Sequence, residues 1–335
     1  MRRERVLTDK QKRRILLYMF GLMIVSFIIS LAIGGMNIPI PDVIRVLFTP
    51  EESKYSVVIR SVRLPRALIA LLVGMCLSVS GVMMQGFTRN PMASPSMLGV
   101  TNGASLVTFV MFIFFPTAFK WTPIASFIGA LGVTFMIYFM AWKGGIQPTR
   151  FILSGVAIGS VCSAIHSLLS SMYPDAVVGM IGFNVGSLSG RTWNHFFMML
   201  PYAVVGLTLA LLLSGKINLL LMGDEVATGL GIQVEKIRMV LIVVAALLAA
   251  SAVSVAGLIG FVGLCVPHIT RMQIGSDYRY LLPACALNGA TVLALCDTLA
   301  RVIILPQEMS VGIILSAIGA PFFLHLLRKQ SRVWG

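Results

Sequence analysis

Ionic side chains are scarce in this chain. Its 335 residues hold 12 Asp and Glu, 26 Lys and Arg and 4 His, so only 11% are charged while 57% are hydrophobic, and the mean hydropathy is +0.92. That is too little charge to coat a water-soluble globule of this size, which makes lipid the solvent. Cysteine is sparse as well. Cys76, Cys162, Cys265, Cys285 and Cys296 all fall in apolar runs with no C-x-x-C spacing, which argues against disulfides or a thiolate metal site and leaves packing. Catalytic signatures are missing too. The fragment nearest to a G-x-x-x-x-G-K-[ST] phosphate loop, Gly215-Lys216, is followed by Ile217, and there is no H-E-x-x-H, no G-x-S-x-G and no paired carboxylate, while His166, His195, His268 and His325 are scattered. The chain is expected to hydrolyse no nucleotide by itself, to catalyse no reaction and to hold no metal or cofactor.

What it has in abundance is long apolar runs. A bilayer crossing takes roughly 20 apolar residues. About ten runs qualify: Ile15 to Gly34, Leu64 to Met84, Ser94 to Phe115, Trp121 to Trp142, Phe151 to Met172, His195 to Leu213, Met239 to Ala256, a short Leu258 to Met272, Leu281 to Ala300 and Val311 to Leu327. The expectation is one all-α polytopic domain over residues 1–335. An even number of crossings puts both termini on one side. With both ends inside, the cytoplasmic segments hold 18 of the 26 Lys and Arg, seven of them in the basic stretch 1–14, so both termini are expected in the cytoplasm. The net charge of +14 is dispersed along loops without interleaved aromatic residues, which fits topology and anionic lipid rather than nucleic acid. The first run is a full span without a small-x-small cleavage site and reads as a retained anchor.

Several segments ask for a reason. From Arg89 to Gly103 the chain reads R-N-P-M-A-S-P-S-M-L-G-V-T-N-G, a polar, proline-broken stretch between two spans; loose backbone at a membrane edge is tolerated where protein or water covers it, and so marks a pathway or docking site. Asp297 and Arg301, four apart on one helix face, form an expected ion pair, with Arg301 alternatively turned to outer solvent near Glu308. Five of the eight outer cations (Arg45, Lys54, Arg60, Arg63, Arg66) precede or open the second span, against the positive-inside trend. They either dock an acidic partner or snorkel at lipid headgroups. The inner loop 215–238 contains G-D-E-V-A-T-G-L-G-I, in which Val226, Ala227 and Leu230 share one face of a short helix with Asp224 and Glu225 in its first turn. Gly257 to Arg271 carries three glycines and Pro267, so that span should be short or broken. His268 there reads as a packing residue. Small-residue faces such as Gly155, Gly159 and Ser163 indicate close helix contacts, and Asn102-Gly103-Ala104-Ser105 is echoed by Asn288-Gly289-Ala290-Thr291.

Together R-L-P-R at Arg63 to Arg66, S-G-V-M-M-Q at Ser80 to Gln85, R-N-P-M-A-S-P-S-M-L-G from Arg89, G-F-V-G-L-C-V-P-H-I-T-R, D-Y-R-Y-L-L-P from Asp277 and G-A-P-F-F from Gly319 resemble the permease subunits of type II ABC importers, the FecCD-like group that carries iron-siderophore complexes, haem and cobalamin. The match runs in order from the first span to the last. It implies ten membrane helices in the cytoplasmic membrane, a second permease subunit that is a copy or a related chain, two ATPase subunits that use ATP and Mg, and an extracytoplasmic binding protein. By the same resemblance Arg63, Arg66 and Arg301 receive acidic residues of the binding protein. Gly223, Glu225, Ala227, Gly229, Leu230 and Gly231 form the coupling patch for the ATPase, and Thr149 lines an inner gate. Pro148, in place of a small polar residue, and Asn184, near a common tryptophan, depart from the family pattern. The implied mechanism is alternating access with an iron-siderophore cargo, haem or cobalamin being the alternatives; an ion-coupled secondary transporter is the rival of another class.

Overall fold

A computed structural model describes residues 7–49, 54–95, 99–143, 145 and 147–331. The first six residues of the basic N-terminal stretch, Ser96 to Leu98 of the proline-broken motif, and Arg332 lie outside them. The described residues form thirteen α-helices and no strand: α1 (Asp9–Ala32), α2 (Ile40–Phe48), α3 (Leu64–Thr88), α4 (Val100–Phe114), α5 (Thr122–Ala141), α6 (Pro148–Met172), α7 (Pro174–Val185), α8 (Trp193–Leu221), α9 (Asp224–Gly229), α10 (Val234–Ala256), α11 (Val262–Ile274), α12 (Tyr278–Val302) and α13 (Val311–Ser331). Ten of these coincide with the expected spans. Seven helical spans are long and apolar enough to cross a bilayer, with α4 and α13 shorter apolar helices. The additional elements are α2, α7 and α9. With the ten crossings expected from the sequence, the start of α1 and the end of α13 belong to one face of the bundle, called here the termini face; the opposite one is the far face.

Local rules explain the boundaries. Thr8 and Gln11 close a capping box that starts α1. Pro148 sits in the first turn of α6, where its missing N–H costs no hydrogen bond, so its departure from the family pattern is compatible with the helix start. The third span begins later than the apolar run predicts, at Val100 and not Ser94, because Pro95 lies in the non-helical stretch before it. The expected break in the eighth span is present: Gly257 (φ +75°) ends α10, residues 258–261 are unwound, and α11 holds only 13 residues. The unwound backbone is not left bare, since Leu258 N–H donates to Phe183 O at 2.8 Å and Ser187 N–H to Ala256 O at 2.9 Å.

Helix α3 is the hub, packed by α8, α10, α11 and α12. Its closest neighbours approach through glycine: a Cβ on Gly81 would stand 1.9 Å from Gly263 O, and one on Gly74 would stand 2.2 Å from Gly289 O. Without a hydrophobic drive between helices in lipid, such close backbone approach is what van der Waals packing has to offer. The four-residue echo has a structural counterpart. Gly103 packs on Gly129 as Gly289 does on Gly74, and Asn102 and Asn288 each donate across to a neighbouring helix, to Gly159 O at 3.0 Å and Thr270 Oγ1 at 2.9 Å. In contrast to α3, with 83% of its apolar window buried, α6 has only 22% covered by the chain itself.

Candidate functional site

Charge gathers at the two ends of α3. At the far face, where α3 begins, a π turn (Val58–Arg63) leads into it and positions three arginines. Arg66 bonds Asp297 through Nε at 3.1 Å and Nη2 at 3.0 Å, and its Nη1 reaches Glu308 at 2.7 Å. Arg301 joins the same carboxylate at 3.3 Å, the i,i+4 pair expected from the sequence. Arg301 and Arg63 also cap the end of α1. Arg63 donates to Leu31 O at 2.7 Å, Ala32 O at 2.9 Å and Met36 O, and Arg301 donates to Ser30 O at 2.9 Å. Cations at a helix C-terminus satisfy its orphan carbonyls and oppose its dipole. Arg63, Arg66 and Arg301 are all buried, and Asp297 is fully so. The alternative of Arg301 turned to outer solvent is therefore set aside: an uncapped α1 terminus and a buried aspartate draw it inward. Of the other far-face cations, Arg60 bonds Val46 O and Thr49 O at the end of α2, while Arg45 and Lys54 are exposed.

At the termini face, where α3 ends, the pattern recurs with α9. Arg89, in left-handed backbone (φ 51°) just past α3, donates to Leu220 O at the end of α8 and to Asp224. Arg238 of α10 grips both oxygens of Asp224 at 2.7 Å and Glu235 at 3.0 Å. Burial alone would raise the Asp224 pKa, but the hydrogen bonds and charges of Arg238 and then Arg89 outweigh it and hold the carboxyl below its ordinary 3.8. Asp224 thus straps the six-residue α9 to the ends of α3 and α8 and to α10.

The residues of the expected coupling patch are divided by this geometry. Val226 (46% exposed) and Leu230 (59%) stand out from α9, and Glu225, Gly229 and Gly231 are on the surface. Ala227 is completely buried, so the single face shared with Val226 and Leu230 is corrected: the chain turns so tightly that Ile232 N–H bonds Ala227 O, closing the loop over that methyl. Gly223 (φ 112°) supplies the turn into α9. Thr149 is exposed in the first turn of α6. Further along that helix Ser160, Ser163, Ser167 and Ser171 recur at helical spacing on exposed positions. Asn184, the second departure from the family pattern, accepts from Ser105 Oγ at 3.2 Å and ties α7 to α4. The long-range partners of Arg66 and Arg89 had no signal in spacing, being 231 and 135 residues away.

Comparison with known proteins places this geometry. The model of the FecCD transport family matches residues 22–329. The Fe(3+)-citrate import system permease protein YfmD of Bacillus subtilis is 38% identical over 328 residues, covering 96% of both chains. The hemin transport system permease protein HmuU of Yersinia pestis is 38% identical over 283 residues, 81% of this chain and 83% of that one. Among solved structures, an inward-facing metal-chelate type ABC transporter superposes with a TM-score of 0.85 at 30% identity, over 95% of this chain and 99% of that chain.

Proposed function

From a chain that belongs to the FecCD transport family, and so is a membrane-embedded ABC importer permease, we infer an ATP-driven machine in which this subunit supplies the path and the docking surfaces while a separate ATPase supplies the energy. The observation that carries the inference is α9. It is a short helix with two apolar side chains turned out, strapped by Asp224 to three other helices, so that a push on Val226 and Leu230 is delivered to α3, α8 and α10 together. A loose loop would absorb that push. We assign Glu225, Val226, Gly229, Leu230 and Gly231 to the ATPase contact, with Gly223 and Ala227 shaping the helix. The termini face is then cytoplasmic, in line with its excess of Lys and Arg.

The far face docks an extracytoplasmic binding protein. Because Arg63, Arg66 and Arg301 are held inside the chain, they act through the field of a cluster with three cations against Asp297 and Glu308, steering an acidic surface, with Arg45 and Lys54 exposed beside it. Helix α6, bare of its own chain and lined with hydroxyls, faces a second permease subunit and the path between them, with Thr149 at the inner gate. Alternating access between the two faces carries the cargo. The cargo class is a ferric chelate, of siderophore or citrate type, supported by relatives named for such cargo. Uptake of labelled ferric siderophores, ferric citrate, haem and cobalamin into vesicles holding this chain with its ATPase and binding protein tests the reading. ATP-dependent entry of a ferric chelate is expected. Entry driven by an ion gradient without ATP would replace it with a secondary transporter, and ATP-dependent entry of haem or cobalamin alone would replace the cargo.

A further inference from the structure

Of the eight far-face cations, Lys120 and Arg191 belong neither to the arginine cluster nor to α2, and they meet in one cavity of about 560 Å³. Its walls come from the turn before α5, the start of α5, α7, the 186–192 loop, the first turn of α8 and the end of α10, all far-face ends. The cavity is lined by Lys120, Arg191 and His195, by hydroxyls including Thr122 and Ser187, and, among the described residues, by no acidic side chain. Two of the residues that line it carry an orphaned polar atom: Arg191 Nε and Thr122 Oγ1 are buried without a hydrogen-bond partner among the described residues. Buried polar groups in proteins are almost always satisfied. Here two residues of one cavity break that rule, and one of them is a cation. His195 adds a third donor. Its Nδ1 accepts from Thr192 N–H at 3.3 Å, which leaves the proton of the neutral ring on Nε2. Glu308, which bonds Ser189 at the rim, is already bonded to Arg66. Phe112, Pro123, Phe183 and Met198 form the remaining wall, which is apolar.

We propose that this cavity is a binding site for an oxyanion, a phosphate or carboxylate, carried on a partly apolar body, with Arg191 as its central donor and Lys120, Thr122 and His195 around it. Guanidinium suits an oxyanion because its N–H groups present a planar fork. The volume is in the range of small-ligand sites and exceeds what a lone phosphate fills. Two sources carry this chemistry at the edge of a membrane: the headgroup of an anionic phospholipid in the far-face leaflet, and a free organic anion from solution. The site is separate from the α9 strap and stands or falls independently of the cargo.

The test measures thermal midpoint and binding on the purified full chain in detergent. One arm adds phosphatidylglycerol or phosphatidylcholine and counts bound lipid by native mass spectrometry; the other adds citrate or inorganic phosphate and follows the fluorescence of Trp121 and Trp193, which border the cavity residues Lys120, Thr122, Thr192 and Asn194 in sequence. If the anion comes from lipid, phosphatidylglycerol is retained at least tenfold over phosphatidylcholine and raises the midpoint. If it is soluble, citrate or phosphate gives a saturable change. In either case Arg191→Gln loses the effect by tenfold or more and Thr122→Val weakens it, while the ligand-free variants stay at least as stable as the wild type, since neither orphaned atom has a bond to lose. Equal retention of both lipids together with no response to either anion in the wild type would overturn the site, as would an Arg191→Gln chain that binds every probe like the wild type. Should Arg191→Gln fail to fold, Lys120→Gln with Thr122→Val answers the same question.

Discussion

Helix α3 carries the same device at both ends in two different solvents. At its far-face end two arginines share Asp297 and one of them holds a glutamate, Glu308; at its termini-face end two arginines share Asp224 and one of them holds Glu235. In each, arginine also caps a helix C-terminus, α1 in the first and α8 in the second. The aspartates differ. The side chain of Asp297 is fully buried and that of Asp224 is 47% exposed. A buried pair is costly to break because the surviving charge has no water to fall back on, whereas an exposed one is replaced by solvent at little cost. One clamp is therefore a rivet and the other a strap, a difference that fits the proposed role of α9 in passing motion to the bundle.

The sharpest way to break this comparison is to neutralise each aspartate. Asp297→Asn leaves Arg66 and Arg301 buried with only Glu308 for both, and by analogy with other buried pairs costs about 3–5 kcal/mol. We expect a large drop in thermal midpoint and in the amount of folded chain in the membrane. Asp224→Asn should cost less, because Asp224 itself meets water and Glu235 still holds the buried Arg238. Its loss should appear instead in coupling: uptake falls severalfold while the ATPase still binds. Equal midpoints for the two variants would dissolve the distinction between rivet and strap.

The two clamps were also unequally legible in the sequence. Ten spans could be read because apolar length is a strong signal, and Asp297 with Arg301 could be paired because four residues bring them to one helix face. What brings Arg66 to Asp297 is tertiary packing of α3 on α12 through Gly74 and Gly289, and no local period records it. The same limit hid Arg89 and Arg238 from Asp224. Helices α2 and α7 escaped because they are too short for a crossing; α2 nonetheless has an amphipathic pattern, with Val43 and Val46 buried and Ile44 and Phe48 exposed. Ala227 was placed on the wrong side because a six-residue helix has too few turns for periodicity to fix a face. The cavity around Arg191 joins stretches of chain that lie far apart in sequence, each ordinary alone.

A smaller expected effect concerns only what the strap holds. Val226→Ser with Leu230→Ser removes the two exposed apolar side chains of α9 and leaves Asp224 in place. Stability should shift by no more than about 0.5 kcal/mol, as for other surface changes. Burying a side chain of this size in an interface contributes roughly 1.5–3 kcal/mol, so affinity for the ATPase should fall at least about tenfold in a pull-down or titration. A variant that binds the ATPase normally yet transports poorly would move the contact away from these two residues and leave the strap as the transmitting element.

The smallest effect separates the clamps by solvent alone. The folded Asp224 carboxyl titrates below its unfolded value, so its contribution to stability is complete above about pH 5 and is lost only as the pH falls through the folded pKa, below 3.8. Between pH 5 and 8 the difference in midpoint between wild type and Asp224→Asn should accordingly stay flat. Salt is the lever that remains. The Debye length shrinks from about 10 Å at 0.1 M to about 3 Å at 1 M, which weakens the half-exposed strap and barely reaches Asp297 under its cover of protein. Raising the salt should close the small gap between Asp224→Asn and wild type while leaving the large gap of Asp297→Asn open; a gap at Asp297 that closed in step would mean that water already reaches the rivet.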